Sequence, residues 1–110
     1  EQAYSSSIHI ENVTLARAEN FLHQEVIVLS GEIINEGSRS IRQLEVTIEF
    51  FDDANQISLR ETRLVSELAG SPLAPGQHRA FEVSFEHIPS IWNRQQPVVQ
   101  VSGVQLIPQK

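Results

Sequence analysis

The sequence predicts an all-β fold, an immunoglobulin-like antiparallel β-sandwich of six or seven strands, from three observations. Ten Val and eleven Ile outnumber nine Leu and seven Ala, with no Met at all, and β-branched side chains of this kind favour strands over helices. Several segments alternate apolar and polar residues with a period of two. Turn-forming Gly, Pro, Asn and Asp fall between those segments at the spacing of a small sandwich. A small barrel is the alternative arrangement of the same strands.

Length bounds the answer to one domain: 110 residues are enough for a single core and too few for two. Residues 1–7, EQAYSSS, are polar and read as a flexible leader or linker, with the sandwich over residues 8–107 and a short tail at 108–110. In the first strand, Ile8 and Ile10 share one face and Val13 and Leu15 the opposite parity. That change of phase predicts a bulge or a sheet switch at Glu11 and Asn12. Residues 17–23, RAENFLH, lose the alternation and read as a loop or helical turn that carries Phe21 and Leu22 inward as a plug.

Residues 24–35 are apolar on both faces, Ile27, Leu29, Gly31 and Ile33 against Val26 and Val28, as a central strand requires. Asn35 to Ser38 follow as a turn, because Asn and Gly tolerate positive φ. Residues 41–51 alternate most regularly, with Leu44, Val46, Ile48 and Phe50 inward. Asp52 to Asn55 make a hairpin loop with Asn55 in the left-handed position. An even loop would set Phe50 opposite Ile57, Ile48 opposite Leu59 and Thr47 opposite Arg60, so that apolar side chains meet on one face and charges on the other.

Beyond Leu59 the charged residues Glu61 and Arg63 mark an edge strand. Residues 66–77 form a long connection, in which Ala74-Pro75-Gly76-Gln77 fits a type II turn. Phe81, Val83 and Phe85 then define a further well-patterned strand, which Pro89 ends. The last strand, within 97–107, slips phase at Ser102-Gly103, a second bulge site.

The chemistry is bounded mainly by what is missing. With no Cys there is no disulfide framework, thiolate nucleophile or zinc ribbon. A net charge of −6, with seven scattered Arg and one Lys, offers no footprint for nucleic acid or an anionic membrane. No apolar run is long enough for a membrane span or a signal peptide, and the chain begins at Glu1 without a Met anywhere, so it is expected to start after a removed leader or a missing anchor. No GxSxG elbow, P-loop or dinucleotide fingerprint occurs, so no catalytic residue and no cofactor is assigned.

His9, His23, His78 and His87 sit on four different elements without metal-ligand spacing. A metal site could assemble only in three dimensions, for example from His9 with Glu11 on one strand face, and scattered solvated histidines are the expectation. Asp52, Asp53 and Asn55 lack the calcium-loop pattern and read as turn formers. Glu45, Glu49, Glu82 and Glu86 point outward from strands, on flat faces rather than in a cleft. Asn12-Val13-Thr14 matches a glycosylation acceptor, a motif short enough to arise by chance.

The segment 85–94 concentrates an aromatic pair, two apolar loop residues, a His and an Arg, the mixture that interfaces favour. His87, Ile91, Trp92 and Arg94 are the candidate binding residues. In the structural alternative, Trp92 and Ile91 fold back to cap the open end of the sandwich.

Gly31-x-Ile33-x-Asn35-x-Gly37, Leu44-x-Val46-x-Ile48-x-Phe50-Phe51-Asp52, Leu73-Ala74-Pro75-Gly76 and Phe81 together resemble the FxLYD-like bacterial extracytoplasmic domains. Ile48 to Asp52 stand in place of that family's name motif, keeping the Asp but not the Leu-Tyr pair. Arg17 to Leu22, Gln24-Glu25-Val26, Phe85 to Pro89 and Trp92-Asn93 resemble a related, uncharacterised bacterial family whose members carry one N-terminal membrane span. The resemblance implies an immunoglobulin-like fold, a cell-envelope location, an anchor before residue 1, and no catalytic residues. The expected function is a non-enzymatic envelope module that binds a protein partner or has a structural role. The alternative is a small-ligand or carbohydrate-binding module with Trp92 as stacking platform.

Overall fold

A computed structural model describes residues 2–19 and 21–108, so Asn20 of the expected plug and the last two residues of the expected tail lie outside the described residues. Six strands form two antiparallel three-stranded sheets. They are β1 (Ile8–Glu19), β2 (Glu25–Asn35), β3 (Ile41–Phe51), β4 (Ile57–Leu64), β5 (His78–Phe85) and β6 (Val98–Leu106). One sheet has the order β1-β2-β5 and the other β4-β3-β6. In immunoglobulin lettering these correspond to A-B-E and C′-C-F, with no D or G strand among the described residues. No helix among the described residues is long and apolar enough to cross a membrane.

Alternation decided which residues meet between the sheets. Leu44, Val46, Ile48 and Phe50 of β3 are fully buried against Leu29 and Ile33 of β2 and Phe81, Val83 and Phe85 of β5. β2 and β3 are the central strands, and β4 is an edge guarded by Glu61 and Arg63, which stand opposite Ile48 and Val46 on its core-facing side. Gly31 lies opposite Phe81 on the core side, and a Cβ there would meet the Phe81 ring at 2.9 Å. The glycine is what lets the ring lie against the β2 backbone.

Both phase slips are bulges. Glu11 pairs with Glu32 and Thr14 with Ser30, so Asn12 and Val13 together oppose Gly31, with Asn12 at φ 57°. β1 stays paired to β2 throughout, so the first slip is a bulge and not a sheet switch. In β6, Gly103 pairs with Glu45 and Val101 with Val46, leaving Ser102 as the extra residue. Asn55 takes φ 64° and Gly76 φ 81°, and Gln77 N–H donates to the Ala74 carbonyl at 3.0 Å, closing the type II turn.

The β3–β4 register differs from the expected one. Phe50 pairs with Leu59, Glu49 with Arg60 and Thr47 with Thr62, while Phe51 pairs with Ile57. Asp52 causes the shift: its Oδ1 accepts the N–H groups of Ala54 and Gln56, both at 2.9 Å, which tightens the loop. Ser58 is then bulged, its hydroxyl donating to the Phe50 carbonyl at 3.1 Å. Charge still meets charge on the outer face, because Arg60 reaches the Glu49 carboxylate at 2.6 Å.

The leader also differs from expectation. Gln2–Ser7 form a 3-10 helix, and the Tyr4 hydroxyl lies within hydrogen-bonding distance of Asn35 Oδ1 and the Arg39 carbonyl. Asn35 is fully buried and works through its amide rather than through a positive φ. Its Nδ2 donates to the Arg39 and Leu73 carbonyls at 2.7 and 3.0 Å, and its Oδ1 accepts from Gly37 N–H at 3.1 Å.

A candidate interaction surface at one end of the sandwich

The β1–β2 turn, the β3–β4 turn and the β5–β6 loop lie at the same end of the sandwich, because the strands that lead into them run the same way. The β1–β2 hairpin outruns its neighbour there. β2 pairs with β5 only from Ile27, opposite Phe85, whereas β1 and β2 stay paired to Glu19 and Glu25. The result is a two-stranded arm. Phe21 at its tip is 90% exposed and Leu22 63% exposed, so they form no plug. Arg17, Glu19 and Glu25 occupy the positions where the core-facing parity of Leu15 and Ile27 continues past the last core layer. Charges there keep the strands in water and carry the tip beyond the core.

The β5–β6 loop packs against the base of this arm. Trp92 N–H donates to the Pro89 carbonyl at 3.0 Å, Asn93 N–H donates to the Phe51 carbonyl at 2.8 Å, and Trp92 bridges to Asp52. The Trp92 ring meets Phe50 edge-on at 5.4 Å, and Phe50 meets Phe85 in the same way at 5.0 Å. This continues the core outward as an aromatic cluster. The indole N–H donates to the Gln95 carbonyl at 3.0 Å. The Arg94 guanidinium lies 5.9 Å from the indole centroid, with Arg94 held at φ 65°. Trp92 therefore caps the core while staying half-exposed.

Two shallow hollows of about 140 and 230 Å³ open between arm and loop, sharing Arg17, Ile27, Trp92 and Arg94. Of the candidate binding residues, Trp92 and Arg94 line both. Ile91 is 60% exposed beside them. His87 is exposed but lines neither hollow, so it is not brought together with the others. Sequence reasoning missed the arm's contribution, Arg17 and Ile27. The alternation Leu15, Arg17, Glu19 was its signal, since period two continued while the residue type turned from apolar to charged.

The asymmetry of the surface is more telling than either hollow. Among the described residues the exposed large apolar side chains are Phe21, Leu22, Ile57, Leu64, Ile91 and Val98. All but Leu64 lie at this end. Glu45, Glu49 and Glu82 do not converge. Glu45 and Glu49 of β3 lie on the outer face of one sheet and Glu82 of β5 on that of the other, with Glu45 accepting from the Ser102 hydroxyl at 3.0 Å.

A family of proteins of unknown function, DUF2393, matches residues 1–102. The chain belongs to that family. No curated protein and no solved structure matches it.

Proposed function

We propose that this member of the DUF2393 family is a non-enzymatic interaction module of the bacterial cell envelope, binding an apolar segment of a protein partner at the end formed by the arm and the Trp92 loop. The observation that carries the reading is the gathering of Phe21, Leu22, Ile57, Ile91 and Val98 at one end, against Leu64 alone elsewhere among the described residues. Exposed apolar patches rimmed by charge are characteristic of protein contacts, and Arg17, Glu25 and Arg94 supply the rim. The hollows favour a protein over a small ligand. Each is below the roughly 300 Å³ at which small-molecule pockets begin, and Arg94 already lies against the indole that a sugar would stack on. The FxLYD-like turn and core words support the envelope location.

Photo-crosslinking tests the reading. A crosslinker at Phe21 or Ile91 in the native cell should capture one and the same protein, and one at Leu64, at the opposite end, should not. Equal capture from all three positions, or none from any, would overturn it. Protease accessibility of the native protein in spheroplasts checks the location.

A further inference from the structure

On the outer face of the β1-β2-β5 sheet, strand register gathers metal-ligand side chains from three strands. Glu11 of β1 stands directly opposite Glu32 of β2. His78 of β5 lies opposite Ile34, two residues along β2 and on the same face as Glu32. One donor atom from each of Glu11, Glu32 and His78 lies within 4.8 Å of the other two. His78 Nδ1 is 3.4 Å from Glu32 Oε1, and His9 Nε2 is 3.4 Å from Glu11 Oε2. The Asn12 amide donates to Glu32 Oε2 at 3.2 Å.

The geometry points to a surface site for a divalent transition-metal ion, with Glu11, Glu32 and His78 as ligands and His9 and Asn12 orienting the two carboxylates. Two carboxylates facing each other across a ladder repel. Among the described residues neither has a Lys or Arg partner, so a cation between them removes the conflict. Donors on one tetrahedral zinc ion stand roughly 3.5 Å apart, at bonds of about 2.0–2.2 Å. Closing onto an ion from within 4.8 Å needs side-chain movement of about an ångström, which χ rotations of these unburied side chains can supply. A mixed imidazole and carboxylate set suits Zn²⁺ and its first-row neighbours, whereas Mg²⁺ and Ca²⁺ prefer all-oxygen sites. Three protein ligands leave a position open to water.

The bulge is part of the arrangement. At φ 57° Asn12 departs from regular strand geometry, and its amide reaches across to Glu32. Bulges commonly re-aim a side chain in this way, and outer partners that hydrogen-bond a ligating carboxylate tune metal affinity. The site shares no residue with the arm or the Trp92 loop, so it stands or falls apart from the interaction surface.

Calorimetric titration of ZnCl2 into the chelator-treated chain tests the proposal. Binding of one ion per chain is expected. His78→Ala and Glu32→Gln should each abolish it, and His9→Ala should weaken it about tenfold or more. His23→Ala should leave it unchanged, because His23 pairs with Glu19 on the arm. In the unsubstituted chain, Zn²⁺ should shift the imidazole NMR signals of His78 and spare those of His87, a readout that needs no variant to fold. Absence of binding, binding retained in His78→Ala, no shift at His78, or equal affinity for Ca²⁺ and Zn²⁺ would each overturn it.

Discussion

The Tyr4 hydroxyl sits 2.8 Å from Oδ1 of Asn35, a fully buried side chain at the end of β2. The same hydroxyl accepts from Arg39 N–H at 3.1 Å, so one oxygen fastens the N-terminal 3-10 helix to the β2–β3 turn. The backbone of Asn35 is also paired, its N–H with the Gln77 carbonyl at 3.1 Å and its carbonyl with Gly76 N–H at 2.7 Å. Every polar group of this buried residue is thus satisfied, which low-dielectric surroundings demand. Tyr4→Phe should cost about 1–3 kcal/mol in urea unfolding, because it strips partners from half-buried groups. Hydrogen exchange in residues 2–7 should rise with it. Asn35→Ala should cost more than Tyr4→Phe, since it leaves Gly37 N–H without its acceptor and takes a donor from each of the Arg39 and Leu73 carbonyls, which keep only the Tyr4 hydroxyl and Ile41 N–H. Equal costs would mean that Tyr4 carries the contact alone.

Trp92 and Phe21 are both aromatic residues of loops, yet they should respond to truncation in opposite ways. Trp92→Ala removes the edge-on packing against Phe50 and should destabilise the fold by about 2–4 kcal/mol. Phe21→Ser removes a side chain that touches water almost everywhere and should change stability by less than about 0.5 kcal/mol. Thermal unfolding of the two variants checks this. If Phe21→Ser proved the costlier, the tip would be packed rather than exposed.

Gly31 and Phe81 should behave as a coupled pair. Gly31→Ala drives a methyl group into the Phe81 ring, and overpacking of this kind costs about 1–3 kcal/mol. A smaller residue at the ring position, Phe81→Leu, should make the same glycine substitution cheaper. A double-mutant cycle measures the difference, and strict additivity would show that the ring moves aside freely.

Asn55 occupies the left-handed region of the β3–β4 loop at φ 64°. Asn55→Gly should be neutral or stabilising, because glycine adopts that conformation without a Cβ penalty, whereas Asn55→Ala should cost about 1 kcal/mol. For a domain of this size that cost corresponds to a fall in Tm of about 4 °C or more. A higher Tm for the alanine variant than for the glycine variant would contradict the assignment.

What could be read in advance depended on the range of the interactions involved. Leu44 to Phe50 and Phe81 to Phe85 declare their buried faces through period two, and the bulges at Asn12 and Ser102 declare themselves as breaks in it. The β3–β4 register could not be read this way, because the Asp52 carboxylate decides it by accepting two N–H groups of its own loop. Tyr4 looked like part of a loose polar leader because its anchor, Asn35, lies 31 residues away in sequence. The candidate surface was half visible. Trp92 and Arg94 stand out by composition, whereas Arg17 and Ile27 join them only because the β1–β2 hairpin outruns β5.

By itself the sequence determined the β class, the inward face of each main strand and the turns at Asn55 and Gly76, because alternation and backbone preference act between neighbours along the chain. The tertiary structure alone decided that Phe21 and Leu22 sit at the tip of an arm, that Trp92 closes over Phe50, and that Glu11, Glu32 and His78 meet on one face. Those juxtapositions depend on which strands pair and in what register. Pairing is set by loop closure and packing across the whole sandwich, over distances that local periodicity does not encode.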